Sequence, residues 1–345
     1  MCLMKKIITL GILIQFAFSC FIPLVIGFSS DSKESCSYIS GSKVVGDIIV
    51  VDDEGDGDFI RIKDALNYAS PGDTIEVYSG TYNEHTIKIN KEEITLIGIS
   101  HEFGSGNDIG KPFIDGPGTN QDALIDIKTD YVTIDGFRIE NSGGPYGNVI
   151  LGFSEGADGC TISNNDIAHS TCSCIWNGGS DNKILNNNIS HSVIGNGIDL
   201  RDPCTNCIVS GNVISDVKEG ILCWDSNHNA ITGNKISRCS RFGIDLASSN
   251  YNTVESNTFE DNTVGVQIYY SKGSRIINNN FINNQCQAQF YYGPIFYSFT
   301  NRWNGNYWNS PRLLPYPILG TYVIVLFFFS FVQFDWHPAK APYDI

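Results

Sequence analysis

Methionine is almost missing from this chain. Its 345 residues hold two, Met1 and Met4, both at the extreme N-terminus. Positive charge is scarce as well: 22 Lys and Arg stand against 37 Asp and Glu, for a formal net charge of -15. That balance excludes nucleic acid as a partner, because phosphate binding needs clustered positive charge. With 42% hydrophobic and 12% aromatic residues, the chain is too apolar to be disordered. No stretch between residues 160 and 298 keeps a helical period, which excludes a helical bundle there. What remains is a body rich in Gly and Asn, the composition of short strands and turns.

Lys5 and Lys6 precede 22 uncharged residues, 7–28. A span of about 20 apolar residues can cross a bilayer, and the basic flank directs the remainder of the chain outward. Residues 1–28 therefore read as a signal peptide or N-terminal membrane anchor. Pro23, Gly27 and Ser29 favour cleavage. Cys20, behind Ala17-Phe18-Ser19, matches a lipoprotein site poorly. The body of the protein is expected outside the cytoplasm, secreted or at the cell surface, with membrane contact at the N-terminus.

From Cys160 one pattern recurs: apolar-x-x-Asn-x-apolar, then a Gly-Ile-x-Leu-like strand, then a polar turn. The pattern's Asn residues are Asn165, Asn187, Asn212, Asn234, Asn257 and Asn279, at steps of 22, 25, 22, 23 and 22. Ile134, Phe137 and Ile139 form an earlier, looser copy. The second strand aligns as Cys174/Trp176, Ile198/Leu200, Ile221/Cys223, Ile244/Leu246, Val266/Ile268 and Ala288/Phe290. Asn182, Asn206, Asn229 and Asn252 close turns. Alternation in such short runs specifies strands with one buried face. A repeat of about 22 residues fits one coil of a parallel β-helix, which buries its inner side chains only by stacking on its neighbours. A leucine-rich repeat has a similar period but demands Leu-x-x-Leu-x-Leu before its Asn, where this chain has Ile and Val. The fold class is all-β: a single-stranded parallel β-helix. A short amphipathic helix at Ile62, Ala65, Leu66 and Ala69 caps its N-terminal end. The organisation is then leader 1–28, linker 29–46, N-terminal cap and first strands 47–100, coils 101–300, and C-terminal cap 301–345.

Three stretches carry a family likeness. They are Asp52-Asp53-Glu54-Gly55-Asp56-Gly57-Asp58-Phe59, Gly72-Asp73-Thr74-Ile75 with Gly80-Thr81-Tyr82, and Ile94-Thr95-Leu96-Ile97-Gly98. They resemble the entry to secreted right-handed parallel β-helix proteins of the pectin-lyase-like superfamily, most closely the archaeal NosD-like type, and the resemblance implies a single-stranded right-handed parallel β-helix (solenoid). Asn304-Gly305-Asn306-Tyr307-Trp308 and the terminal Pro342-Tyr343-Asp344-Ile345 are similar to that group's C-terminal end. The resemblance is specific for fold and not for activity, since the fold hosts lyases, hydrolases, epimerases and binders. It implies carbohydrate binding, or a role by analogy with a copper-enzyme maturation protein.

Residues 313–334 form a second uncharged run of 22. Pro315 and Pro317 break its first third. In the resembling proteins the Asn-Tyr-Trp and Pro-Tyr-Asp-Ile segments belong to one cap, so a single crossing would separate Trp308 from Tyr343. The run is therefore expected as an apolar loop that covers the last coil or dips into one leaflet, in preference to a transmembrane helix.

Register makes one outer face computable. It carries Asp199, Asp245, Gln267 and Gln289, then Arg201, Trp224, Tyr269 and Tyr291, then Asp202, Asp225, Tyr270 and Tyr292. Aromatic platforms beside carboxylates suit a sugar chain, whose C–H faces stack while its hydroxyls take hydrogen bonds. The expected carbohydrate-binding residues are Asp199, Arg201, Trp224, Asp225, Asp245, Tyr269 and Tyr291. Catalysis is the weaker reading, with Asp199, Asp225 and Asp245 as candidates. Asp199 and Asp245 lie two coils apart, roughly 9.6 Å, near the about 6.5–9.5 Å of inverting glycosidases. The Gly-His-Gly and Arg-Ile-Lys set of polygalacturonases and the basic cluster of lyases are absent.

No metal site or cofactor is expected. His169 and His191 share a column without a third donor and read as structural. The acidic run 52–58 has Lys63 where a calcium loop needs Glu, so it reads as a turn. Removing Cys2 and Cys20 with the leader leaves nine Cys. Cys160 and Cys207, and likewise Cys174 and Cys223, share columns two coils apart, too far to bridge. Only Cys204 and Cys207 are placed to close a disulfide. Asn188-Ile189-Ser190 is a glycosylation sequon. The sequence thus reads as an extracytoplasmic β-helix protein binding polysaccharide. A polysaccharide hydrolase, lyase or epimerase, and a structural envelope protein, are the alternatives.

Overall fold

The repeated Asn lies at the centre of the architecture. Asn165, Asn187, Asn212, Asn234, Asn257, Asn279 and Asn306 stack in one buried column. Each backbone N–H donates to the side-chain oxygen of the next Asn, for example Asn234 N to Asn257 Oδ1 at 2.9 Å. Each Nδ2 returns to a carbonyl of the preceding coil, as Asn234 Nδ2 does to Val209 O at 2.9 Å. The residue before each Asn turns the chain with positive φ, which selects Asn186 (φ 54) or Gly211 (φ 68) over bulkier types.

The computed structural model describes residues 46–118, 123–143, 148–152, 157–192, 194–292, 300–324 and 327–345. For 151, 152, 292, 322–324 and 327–329 it describes the backbone alone. The leader 1–28 and all but the last residue of the linker lie outside the described residues. Among the described residues, the strands form three sheets of 11, 10 and 11 strands, parallel throughout except for the last strand of the third, that wind as a right-handed β-helix. Sheet 1 runs from Ile48–Val51 to Arg302–Asn304, and sheet 2 from Thr81–Tyr82 to Tyr307–Trp308. Sheet 3 runs from Ile87–Ile89 to the C-terminal end.

Sheets 1 and 2 each send one continuous column inward, and sheet 3 sends two, through Ile198 and Leu200 and their successors. Ile134, Ile162, Ile184, Val209, Ile231, Val254 and Ile276 stack in sheet 1. Ile139, Ile167, Ile189, Ile214, Ile236, Phe259, Phe281 and Trp308 stack in sheet 2. All are buried, and each such side chain contributes about 1.5–3 kcal/mol. The glycine of Gly-Ile-x-Leu also has a steric cause. A Cβ on Gly220 would lie 2.5 Å from the Gly243 carbonyl oxygen and strike Ile236.

The N-terminal end is closed by helix α1, Ile62–Tyr68, which buries Ile62, Ala65 and Leu66. Its free N–H groups are taken by the buried Glu84 carboxylate, 2.7 Å from Ile62 N and 3.1 Å from Lys63 N. Lys91 Nζ serves the carbonyls of Leu66, Asn67 and Ala69 at the other end.

At the C-terminal end the apolar run is neither a loop nor a helix. Tyr316–Ile324 adds in parallel to Cys286–Tyr292 of sheet 3, and Phe327–Asp335 folds back against it as an antiparallel hairpin. The loop expectation is corrected: nine paired positions satisfy this backbone, which an irregular apolar segment would leave open. No described helix is long and apolar enough to cross a membrane. The hairpin also supplies the last rung of the Asn column. Asp335 Oδ2 accepts from Asn306 N at 2.9 Å, Asn306 Nδ2 at 3.0 Å and Trp308 Nε1 at 3.1 Å. Its Oδ1 accepts from Gly305 N at 3.2 Å and His337 N at 3.1 Å. Trp308 stacks on Tyr316 at 4.1 Å, and Asn280 binds the Tyr343 backbone.

Candidate functional site

The strands Ile198–Arg201, Glu219–Trp224, Phe242–Ala247, Val264–Tyr269 and Cys286–Tyr292 lie side by side in sheet 3. Their outer face shows two columns. One reads Asp199, Leu222, Asp245, Gln267, Gln289, and the other Arg201, Trp224, Ala247, Tyr269, Tyr291. Register therefore brings six of the seven residues expected to bind carbohydrate onto two adjacent columns. Asp225 comes after them at an exposed corner with φ 48, where the chain turns away.

Register corrects the first copy. Ile175 pairs with Ile198, so Trp176 stands opposite Asp199 on the outer column, and Ile175 and Asn177 take the inner positions. The shift arises because Cys174 occupies the place of Gly197, Gly220 and Gly243 in later coils. Cys174 and Cys223 consequently do not share a column, although both are buried. In the turn column, the rung after Asn182 is Cys207 and not Asn206: Cys160 N donates to Asn182 Oδ1, and Cys207 N to Asn229 Oδ1. Asn206 precedes it with positive φ.

The carboxylates differ sharply. Asp199 is 2% exposed and fully engaged. Arg201 grips both its oxygens at 2.8 and 3.1 Å, and Asn196 and Ser173 add donors at 3.2 and 3.4 Å. The Arg201 guanidinium in turn lies 5.2 Å from the ring of Trp224, which is 49% exposed. Asp245 is 7% exposed, and its buried Oδ1 has no hydrogen-bond partner. Burial first, and the neighbouring Glu219 second, push its carboxyl up to about 7. Glu219 is itself buried and paired with Arg241 Nη1 at 2.7 Å.

Asp245, Glu219, Trp224, Lys218 and Asn196 line a cleft of about 260 Å³. It shares Arg241, Phe242, Gln267 and Tyr269 with a larger cleft of about 910 Å³ that runs on to Tyr291 and to Leu319 and Phe331 of the hairpin. Tyr269 and Tyr291 stack at 5.3 Å, with Tyr270 edge-on to Tyr269 at 4.4 Å. Gln289 Nε2 donates to Gln267 Oε1 at 2.6 Å. The sequence pattern passed over Glu219, Arg241 and Phe242. Glu219 and Phe242 each stand directly before a stacking glycine, Gly220 and Gly243, and that alignment could have found them.

Two further expectations have a place in the structure. The expected Cys204–Cys207 disulfide is not closed: the two are free, buried thiols with Sγ atoms 3.1 Å apart, against about 2.05 Å for an S–S bond, and Asn177 Nδ2 points at both, 3.4 and 3.5 Å away. The hydrogen bond between them pushes Cys204 up and holds Cys207 down. His169 and His191 stack at 5.2 Å, each at a positive-φ corner succeeded in the column by Asp216 and Arg238.

Residues 119–313, more than half of the chain, match the family described as periplasmic copper-binding protein (NosD). The probable ABC transporter binding protein NosD of Stutzerimonas stutzeri is 29% identical over 116 residues. That stretch is 32% of this chain and 24% of the relative, so the match spans about a quarter of the relative's length. Among solved structures, the complex of XylC with xylose is similar at a TM-score of 0.58 and 15% identity, covering 84% of this chain and 73% of that one. Pectate lyase Pel9A matches at 0.49 and 15% identity, over 76% and 80%. At these identities the likeness concerns the fold alone.

Copper takes soft sulfur and imidazole donors. Among the described residues, every group of three donors close enough to share an ion consists of carboxylates. The Cys204–Cys207 pair is closed off by burial and Asn177, and the stacked histidines have Glu140 and Ser190 as their nearest partners. Met1 and Met4 precede the described residues. The described residues therefore do not fit a copper centre. Fold and sequence match agree on the class: the chain belongs to the NosD family of parallel β-helix proteins, whose description places it in the periplasm, outside the cytoplasm.

Proposed function

We propose that the outer face of sheet 3 binds an extracellular carbohydrate chain, with the two connected clefts as its track. The observation that carries this reading is the pairing of exposed Trp224 and Tyr269 with the unpartnered buried oxygen of Asp245 in one cleft. An aromatic face takes the C–H side of a sugar ring, and a stranded acceptor takes a hydroxyl. Arg201, fixed by Asp199, holds the Trp224 ring in place and leaves donors for a second hydroxyl. In this reading Asp199 positions Arg201, and Asp225 stands outside the track. Screening the full chain against a broad polysaccharide panel tests it. Binding should appear for the wild type and disappear with Trp224→Ala and Tyr291→Ala. Absence of binding across the panel would favour a structural envelope role.

Asp245 also supports a second reading. A carboxyl that still holds a proton near neutrality is suited to general-acid work on a glycosidic oxygen. Release of reducing ends or unsaturated sugars, abolished by Asp245→Asn, would establish that reading. Binding without turnover would leave the first.

A further inference from the structure

A second set of carboxylates lies far from the groove in sequence, where the first strand enters the coils. Asp52, Asp53 and Glu54 come from one turn, and Glu102 and Asp108 from another loop. Oxygens of Asp52, Asp53 and Glu54 all lie within 4.8 Å of one another, and so do those of Glu54, Glu102 and Asp108. That spacing is about twice a calcium–oxygen distance of about 2.3–2.6 Å. Among the described residues, none of these five carboxylates forms a salt bridge with Lys, Arg or His.

The independent sign of a missing ligand is Asp52. It belongs to the cluster and is 0% exposed, and its Oδ1 is buried with no hydrogen-bond partner. Only Oδ2 is served, by Gly55 N at 3.1 Å and Asp56 N at 3.0 Å. Asp53 Oδ1 is likewise buried and unpartnered. A buried carboxylate oxygen without donor or counter-charge is costly unless something positive reaches it. Both loops are already tied: Asp56 Oδ2 takes Ser105 N and Oγ at 2.6 Å, and Glu102 takes Phe103 N at 2.8 Å and Asp108 N at 2.9 Å.

We propose that the two carboxylate groups joined at Glu54, Asp52–Asp53–Glu54 and Glu54–Glu102–Asp108, bind a hard divalent cation of the calcium class, which through Glu54 staples the 52–58 turn to the 102–108 loop at the N-terminal end of the β-helix. This is not the single-loop calcium motif that Lys63 excludes, because the ligands come from two separate segments. Hard carboxylate oxygens in a partly exposed, adaptable set favour calcium over magnesium.

The test is calcium uptake by the EGTA-stripped full chain, read by equilibrium dialysis and by thermal melting. The wild type should take up calcium saturably, with a dissociation constant of roughly 10⁻⁴–10⁻³ M, the range of extracellular modules. Its melting point should rise with calcium and much less with magnesium. Asp52→Asn risks misfolding through its turn bonds, so the decisive variant is Glu54→Gln with Glu102→Gln. It should lose uptake at least tenfold, while its EGTA-treated melting point stays equal to or above wild type. No saturable uptake by the wild type, or uptake unchanged in the double variant, overturns the proposal. Neither outcome bears on the sheet 3 groove.

Discussion

The Asn column and the sheet 3 groove are both lines of buried polar side chains along one solenoid, yet they are opposites. In the column every amide is satisfied: Asn257 Nδ2 serves Ile231 O, Glu255 O and Asn279 Oδ1, while its Oδ1 takes Asn234 N and Nδ2. The outer face of sheet 3 leaves acceptors over. Asp126 Oδ1, Asn196 Oδ1 and Asp245 Oδ1 are buried without partners, and Asp126 and Asp245 lie in the same outer column. The contrast teaches how to tell scaffold from site in a repeat protein. Saturated polar columns stabilise the coil, and stranded acceptors mark where something else is meant to arrive.

The comparison breaks most visibly at the column's end. Asp335→Ala strands the buried Asn306 N–H, one hydrogen of Asn306 Nδ2 and Trp308 Nε1–H, while Gly305 N keeps the His337 carbonyl at 3.0 Å. At about 1–3 kcal/mol per stranded buried group, the expected loss is about 4 kcal/mol or more, seen as a lower urea midpoint. An unchanged midpoint would mean that the column does not hold the C-terminal cap.

Next in size is a change of opposite sign. Asp245 carries a raised folded-state pKa of about 7 against an ordinary aspartate value of 3.8. The folded state then binds the proton more tightly than the unfolded chain. Its contribution is most favourable below about pH 4, is lost as pH rises towards 7, and levels off above that. Asp245→Asn should therefore be more stable than wild type at pH 8, by on the order of a few kcal/mol, with the gain vanishing near pH 4. Melting curves across that range check it, and a stability loss at pH 8 would contradict the account of Asp245.

Trp224→Ala separates the two regions functionally. With its ring half in solvent, stability should move by less than about 1 kcal/mol, while polysaccharide binding weakens roughly tenfold or more in titration calorimetry. Asp225→Asn is the smallest. Asn tolerates the positive φ, and Asp225 lines neither cleft, so stability should stay within about 0.5 kcal/mol and binding should not change. Weakened binding there would extend the groove around the corner.

Much of the scaffold was legible in the sequence, for a physical reason. The Asn165-to-Asn279 steps mark a corner that only a side-chain amide can bridge, and the glycine before each Ile marks a wall too tight for a Cβ. Where that glycine is replaced, at Cys174, the reading slipped by one residue and turned Trp176 inward. The hairpin was hidden for a different reason. Residues 313–334 are uncharged and apolar at nearly every position, so no alternation announces a strand, and the partner strand lies some thirty residues back at Cys286–Tyr292. The groove was half legible: Arg201, Trp224, Tyr269 and Tyr291 follow from register. Glu219 and Arg241 sit before the template begins, and no sequence pattern records which oxygens will go unserved.

Asp335 carries one more consequence. An asparagine at that rung would send one amide hydrogen back to the preceding coil and offer the other to a further coil. A carboxylate only accepts, so it takes the last donors and requests nothing further. The exchange of an amide for an acid thus acts as punctuation: it ends the Asn column chemically, with no side-chain donor left over at the last rung.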